Sequence, residues 1–126
     1  MVLISCKEQD QTVPNLPVDI TLNLNLPIYS DLNTVGNHIN VSGGSLGIIV
    51  YRLSVDEFKA FDRHCTFNVP DNCRITVDNS GIQAADDECC GSVFSIIDGT
   101  VQSGDAFVPL REYQTSFFNN VVTISN

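Results

Sequence analysis

The chemistry available to this chain lies mainly in its sulfur and imidazole groups. Five cysteines, Cys6, Cys65, Cys73, Cys89 and Cys90, stand in 126 residues beside only two histidines, His38 and His64. That many thiols in a short chain point to disulfides, metal ligation or redox exchange. Four of the five fall in two loops. One reads Asp62-Arg63-His64-Cys65-Thr66-Phe67 with Cys73 following; the other reads Asp86-Asp87-Glu88-Cys89-Cys90-Gly91-Ser92. In an extended segment successive side chains point to opposite sides. His64 is therefore expected to point away from Cys65, and the neighbours Cys89 and Cys90 converge poorly on one ion. His38, in a Gly/Asn-rich loop, reads as a surface residue. Other constellations are thin. Ser45, Ser92 and Ser95 show no His–Asp partners in the sequence. Gly43-Gly44-Ser45-Leu46-Gly47 lacks the lysine of a phosphate loop. Asp86-Asp87-Glu88 lacks the alternating spacing of a calcium loop and reads as solvated.

These loops must be held by something, and the pattern around them is that of strands. Fifteen acidic against six basic residues give a formal charge of −9, with 43% apolar and 17% charged residues. This is a globular composition for one domain. The acidity argues against nucleic acid, which needs clustered Lys and Arg. Val18, Ile20, Leu22, Leu24 and Leu26 alternate with polar residues until Pro27, which predicts a half-buried strand. Ile48–Tyr51 reads as a buried strand, and Phe58–Asp62 alternates again. Arg74–Asp78 and Ile82–Ala85 flank the Asn79-Ser80-Gly81 turn. Val93–Ile96 precedes an Asp98-Gly99 turn, and Glu112–Phe117 and Val121–Ser125 flank Asn119-Asn120. Ser54–Glu57 is expected to hold one helical turn. Tyr51, Phe58, Phe61, Phe94 and Tyr113 are expected in the core. Many short strands with turn residues between them predict an all-β sandwich or barrel.

Residues 61–110 carry a resemblance. The two cysteine loops around the Arg74–Ala85 hairpin are followed by Gly91-Ser92, Phe94, Asp98-Gly99, Ser103-Gly104 and Pro109-Leu110. This arrangement resembles the Rieske iron–sulfur fold, and most of all the Rieske-like lipoproteins of Bacteroidetes-type bacteria. The resemblance implies a Rieske-like β-sandwich or barrel over 17–126, with 61–110 as the cluster-binding type of subdomain. The function it implies is one-electron transfer through a 2Fe-2S centre, in which two thiolates hold one iron and two imidazoles the other. By that resemblance Cys65 and Cys90 stand at ligand positions, Cys90 in place of a histidine. Phe67 and Asp87 occupy the other two positions, and phenylalanine cannot ligate. Cys73 and Cys89 match the pair that forms an inter-loop disulfide in many such proteins. Cys65 and Cys90 would then face each other across the cluster position.

Several fates remain open for these thiols. They are two structural disulfides without metal, a zinc site drawing on His64 and the cysteines, a 2Fe-2S cluster with unusual ligands, or a redox dithiol of Cys65 with Cys90. The dithiol lacks a nearby Lys or Arg to lower a thiol pKa, and Asp86, Asp87 and Glu88 act in the other direction. The expectation is no cofactor. Residues 1–16 read as a leader stub and tether. Leu3-Ile4-Ser5-Cys6 resembles a bacterial lipobox, making Cys6 the expected lipidation site, although only five residues precede it where a signal needs a longer apolar region. The combined expectation is an exported, periplasmic, membrane-anchored protein with a structural or partner-binding role. The alternative is an electron-transfer protein that retains a 2Fe-2S cluster or another metal at Cys65 and Cys90. No residues support an enzyme with its own substrate pocket.

Overall fold

The computed structural model describes residues 12–86 and 88–126. Among them run ten strands: β1 (Asp19–Asn23), β2 (His38–Val41), β3 (Ile48–Arg52), β4 (Phe58–Asp62), β5 (Thr76–Val77), β6 (Gln83–Ala85), β7 (Val93–Ser95), β8 (Val101–Ser103), β9 (Glu112–Phe118) and β10 (Val121–Ser125). Among the described residues helix is confined to short 3-10 segments at Pro27–Asn33 and Val69–Asp71. The strands form a six-stranded antiparallel sheet in the order β1-β10-β9-β4-β3-β2 and a four-stranded sheet in the order β5-β6-β7-β8. The expected all-β architecture is what the chain adopts.

The sequence pattern explains why the two sheets share one wall. All five residues of β3 are buried, and four of the five in β4. With side chains alternating between faces, Ile48, Val50, Phe58 and Ala60 enter one core beside Leu22, Tyr113, Val122 and Ile124. Ile49, Tyr51 and Phe61 enter a second core beside Cys65, Cys73, Ile75, Cys90, Phe94 and Ile96. A strand covered on both faces must be apolar throughout, hence the unbroken Ile-Ile-Val-Tyr run. The second core joins the large sheet to the cysteine loops, so the loops are mounted on its back rather than projecting freely. Arg52 ends β3. It is buried, donates to the carbonyls of Leu32 (2.9 Å) and Val55 (2.7 Å), and lies over the Phe58 and Phe117 rings at 5.0 and 5.3 Å.

Local differences from the sequence expectation have local causes. The alternating run from Val18 leaves the sheet at Asn23, where Asn23 Oδ1 accepts the Asn25 amide and turns the chain. Leu24 stays buried but Leu26 is exposed. Pro27 then opens the 3-10 segment, for which its fixed φ is suited. Ser54–Glu57 forms no helical turn. The Ser54 hydroxyl accepts the Glu57 amide, but the segment is the bend closing the β3–β4 hairpin. His38 is not a loop residue. It opens β2 opposite Tyr51, is half-buried, and burial holds its imidazole pKa below the ordinary value, with Asp31 partly opposing. Of the 1–16 tether, residues 1–11, including Cys6, lie outside the described residues. Val13 is buried and its carbonyl accepts from Arg111 Nη2 at 2.6 Å, while Leu16 O accepts from Asn126 Nδ2 at 2.7 Å. The segment Val13–Leu16 therefore lies against the domain.

Candidate functional site

The first cysteine loop leaves β4 at Asp62 and returns to β5. His64 and Arg74 form an isolated antiparallel bridge, and the Cys65 amide donates to Cys73 O at 2.9 Å. These bonds set Cys65 and Cys73 across the base of the loop. Its tip is a 3-10 turn flanked by Asn68 and Asn72, both left-handed at φ of 55° and 54°. Asparagine tolerates that conformation better than other side-chain-bearing residues. In the second loop the carbonyl of Asp86 collects the amides of Cys89, Cys90 and Gly91 at 3.4, 3.2 and 2.8 Å. The resulting tight turn sends the two neighbouring cysteines to different partners. Cys65 bonds Cys90 and Cys73 bonds Cys89, with Cα separations of 6.6 and 5.7 Å. Cys65, Cys73 and Cys90 are buried; Cys89 is exposed.

A polar bracket fixes the first loop from behind. The Asp62 carboxylate is fully buried and accepts four hydrogen bonds, from the amides of Ser45 (2.6 Å), Leu46 (3.2 Å) and His64 (3.0 Å) and from the Tyr113 hydroxyl (2.7 Å). Burial, reinforced by this carboxylate, pushes the Tyr113 phenol pKa well up. His64 Nε2 lies 2.8 Å from Val69 O, which can only accept, so Nε2 carries the proton. Nδ1 then accepts from the Ser45 hydroxyl at 2.8 Å. Both imidazole nitrogens are thus committed to the scaffold, and His64 points away from Cys65 as expected. Ser45 does have a histidine partner, which the sequence did not reveal because 19 residues separate them. Asp62 was also missed, yet a signal existed: it shares inward phase with Phe58 and Ala60.

The second loop is held by the chain immediately downstream. The Ser92 hydroxyl accepts the Ala106 amide at 3.0 Å. Gly104, at φ +93°, passes so close to Gly91 and Ser92 that a Cβ there would collide with their backbone. Phe67 is partly buried against the core containing Cys65 and Cys90, and its amide donates to Cys65 Sγ at 3.4 Å.

No protein-family model matches the chain, and no curated protein matches it. Among solved structures it is similar to a chain in the complex of reduced oxygenase and oxidized ferredoxin in carbazole 1,9a-dioxygenase. The likeness covers 89% of this chain and 94% of that one, with a TM-score of 0.55 and 19% identity. The fold is Rieske-like. The E. coli protein NirD is also similar, covering 91% of this chain and 98% of that one, with a TM-score of 0.49 and 14% identity.

A Rieske-like fold implies a 2Fe-2S centre between the two loops, and the residues present do not fit one. Cys65 and Cys90 spend their sulfurs on each other, whereas cluster ligation needs thiolates. Phe67 offers no donor atom. Asp87 lies outside the described residues. Among the described residues no group of three or more His, Cys, Asp or Glu gathers as a metal site, and His64 has no free nitrogen to contribute.

Proposed function

We propose that this domain carries a disulfide where Rieske proteins hold their cluster, and that it serves as a structural or partner-binding module of an exported, lipid-anchored protein. The observation that carries the reading is the Cys65–Cys90 bond; by the family resemblance the two residues stand at ligand positions, Cys90 in place of a histidine. Phe67 closes the site with an aromatic ring in place of an imidazole. Two bridges in one small domain suit an oxidising compartment, and the lipobox-like Leu3-Ile4-Ser5-Cys6 supplies the anchor. The dimensions of the loops are thereby kept without metal, which leaves their outer surface as the element a protein partner would meet.

The test is iron and acid-labile sulfide analysis of protein purified anaerobically from its own host, with alkylation mass spectrometry on the same sample. The expected result is no stoichiometric iron, no visible absorption, and peptides linked Cys65–Cys90 and Cys73–Cys89. Two irons per chain with a visible spectrum would instead establish electron transfer through a retained cluster, and another metal held by free Cys65 and Cys90 would establish the corresponding metal site. For the anchor, Cys6→Ala expressed with its upstream leader should release the protein from membranes; undiminished retention contradicts acylation.

A further inference from the structure

Next to the His64 bracket a groove of about 370 Å³ opens on the surface, lined by the Gly43–Gly47 loop with Arg63 and Arg74. Arg63 is held in place. Its Nε donates to Ile75 O at 2.9 Å and its Nη2 to Thr76 Oγ1 at 3.1 Å, bonds that do not use Nη1. Gly47, at φ +97°, lies under this guanidinium; a Cβ there would come within 3.3 Å of Arg63 Cδ and 3.8 Å of Nη1. Arg74 is exposed on the neighbouring strand bridge and donates no hydrogen bond among the described residues.

The charge arrangement is what singles the groove out. The chain carries −9, yet the ion pair formed among the described residues is Lys59–Glu112, and neither groove arginine has a described carboxylate within reach. Asp62, the nearest acid in the chain to Arg63, is turned inward with its oxygens occupied by four donors and does not line the groove. Two guanidiniums lining one groove, one of them locked in a fork, match a doubly charged tetrahedral oxyanion better than a single carboxylate. Burial and the charge of Arg74 both draw the Arg63 pKa down from its ordinary value, consistent with a cationic pair that lacks its counter-charge. We propose that this groove binds a phosphoryl group, either inorganic phosphate or a phosphomonoester.

The full folded chain, labelled with 15N, would be titrated with inorganic phosphate and separately with glycerol 2-phosphate at constant ionic strength, with sodium chloride as the control. Saturable shifts confined to the amides of Gly43–Gly47, Arg63 and Arg74 are expected. Arg74→Gln, which removes no described hydrogen bond, should weaken binding at least tenfold, and Arg63→Lys should weaken it while keeping the charge. Tighter binding of the free ion or of the ester identifies the natural source. Shifts that fail to saturate, that chloride reproduces, or that are unchanged in Arg74→Gln overturn the proposal.

Discussion

Removing the Cys65–Cys90 bridge gives a test whose size and sign follow from chain connectivity. The bridge closes 25 residues and Cys73–Cys89 closes 16 within that span. With the inner bridge intact, the outer one constrains a path of only about ten residues, worth about 2.7 kcal/mol by chain entropy. With the inner bridge absent, the outer one constrains the full 25 residues, and its worth rises to about 3.5 kcal/mol. Four proteins complete the cycle: the parent, Cys65→Ala/Cys90→Ala, Cys73→Ala/Cys89→Ala, and the variant lacking all four thiols. Urea unfolding under non-reducing conditions reads each stability. The outer pair should cost about 0.8 kcal/mol more in the background lacking the inner bridge, on top of a packing loss common to both backgrounds. If removing the outer pair changes the midpoint by no more than a surface substitution does, Cys65 and Cys90 are not bonded to each other in solution. An outer cost that is smaller, not larger, without the inner bridge refutes the nested-loop reasoning.

Other perturbations address the supports of the site. Tyr113→Phe removes one charge-assisted donor from buried Asp62 and should cost about 1.5–3 kcal/mol. Asp62→Asn should cost about 3 kcal/mol or more, because three backbone amides lose their carboxylate; denaturant melts check both. Since the Tyr113 phenol pKa is raised in the folded state, its contribution is fully present below the unfolded value of about 10 and is lost as pH rises beyond it. Stability of the parent should therefore fall more steeply above that pH than stability of Tyr113→Phe. His38 is the opposite case, a base whose folded pKa is lowered. The unfolded chain protonates first as pH drops through about 6.5, so stability declines below that point, and an NMR titration should find His38 charging later than a free imidazole. Gly104→Ala should lower the melting temperature through collision with Gly91 and Ser92, a strain of about 1–3 kcal/mol; an unchanged melting curve would mean the second loop is not seated on that segment.

The elements most readable in the sequence are those whose burial repeats along the chain. Ile48–Tyr51, Phe58–Asp62, Val93–Ser95 and the Glu112–Ser125 hairpin are strands because apolar residues recur in phase and Asn119-Asn120 accept left-handed φ. β2 was not legible: His-Ile-Asn-Val at a sheet edge buries little, and it becomes a strand because β3 offers a partner. β8, with Gln102 and Ser103 exposed, is similar. Within the site, the linear spacing of cysteines drew attention to the right loops. It could not show that the Asp86 carbonyl gathers three amides and so parts Cys89 from Cys90. Nor could it show that Ser45, Asp62, His64 and Tyr113 meet, since that polar bracket joins strand and loop residues far apart in the chain.

The placement of the two bridges on either side of the Asn68–Asn72 tip has a corollary for a severed backbone. A protease cutting anywhere from Thr66 to Asn72 would leave the upstream piece tied through Cys65 to Cys90 and the downstream piece tied to itself through Cys73 and Cys89. The halves would migrate together until a reductant parts them, and the exposed residues Pro70, Asp71 and Asn72 are where such a cut, or an insertion, would disturb the body beneath least.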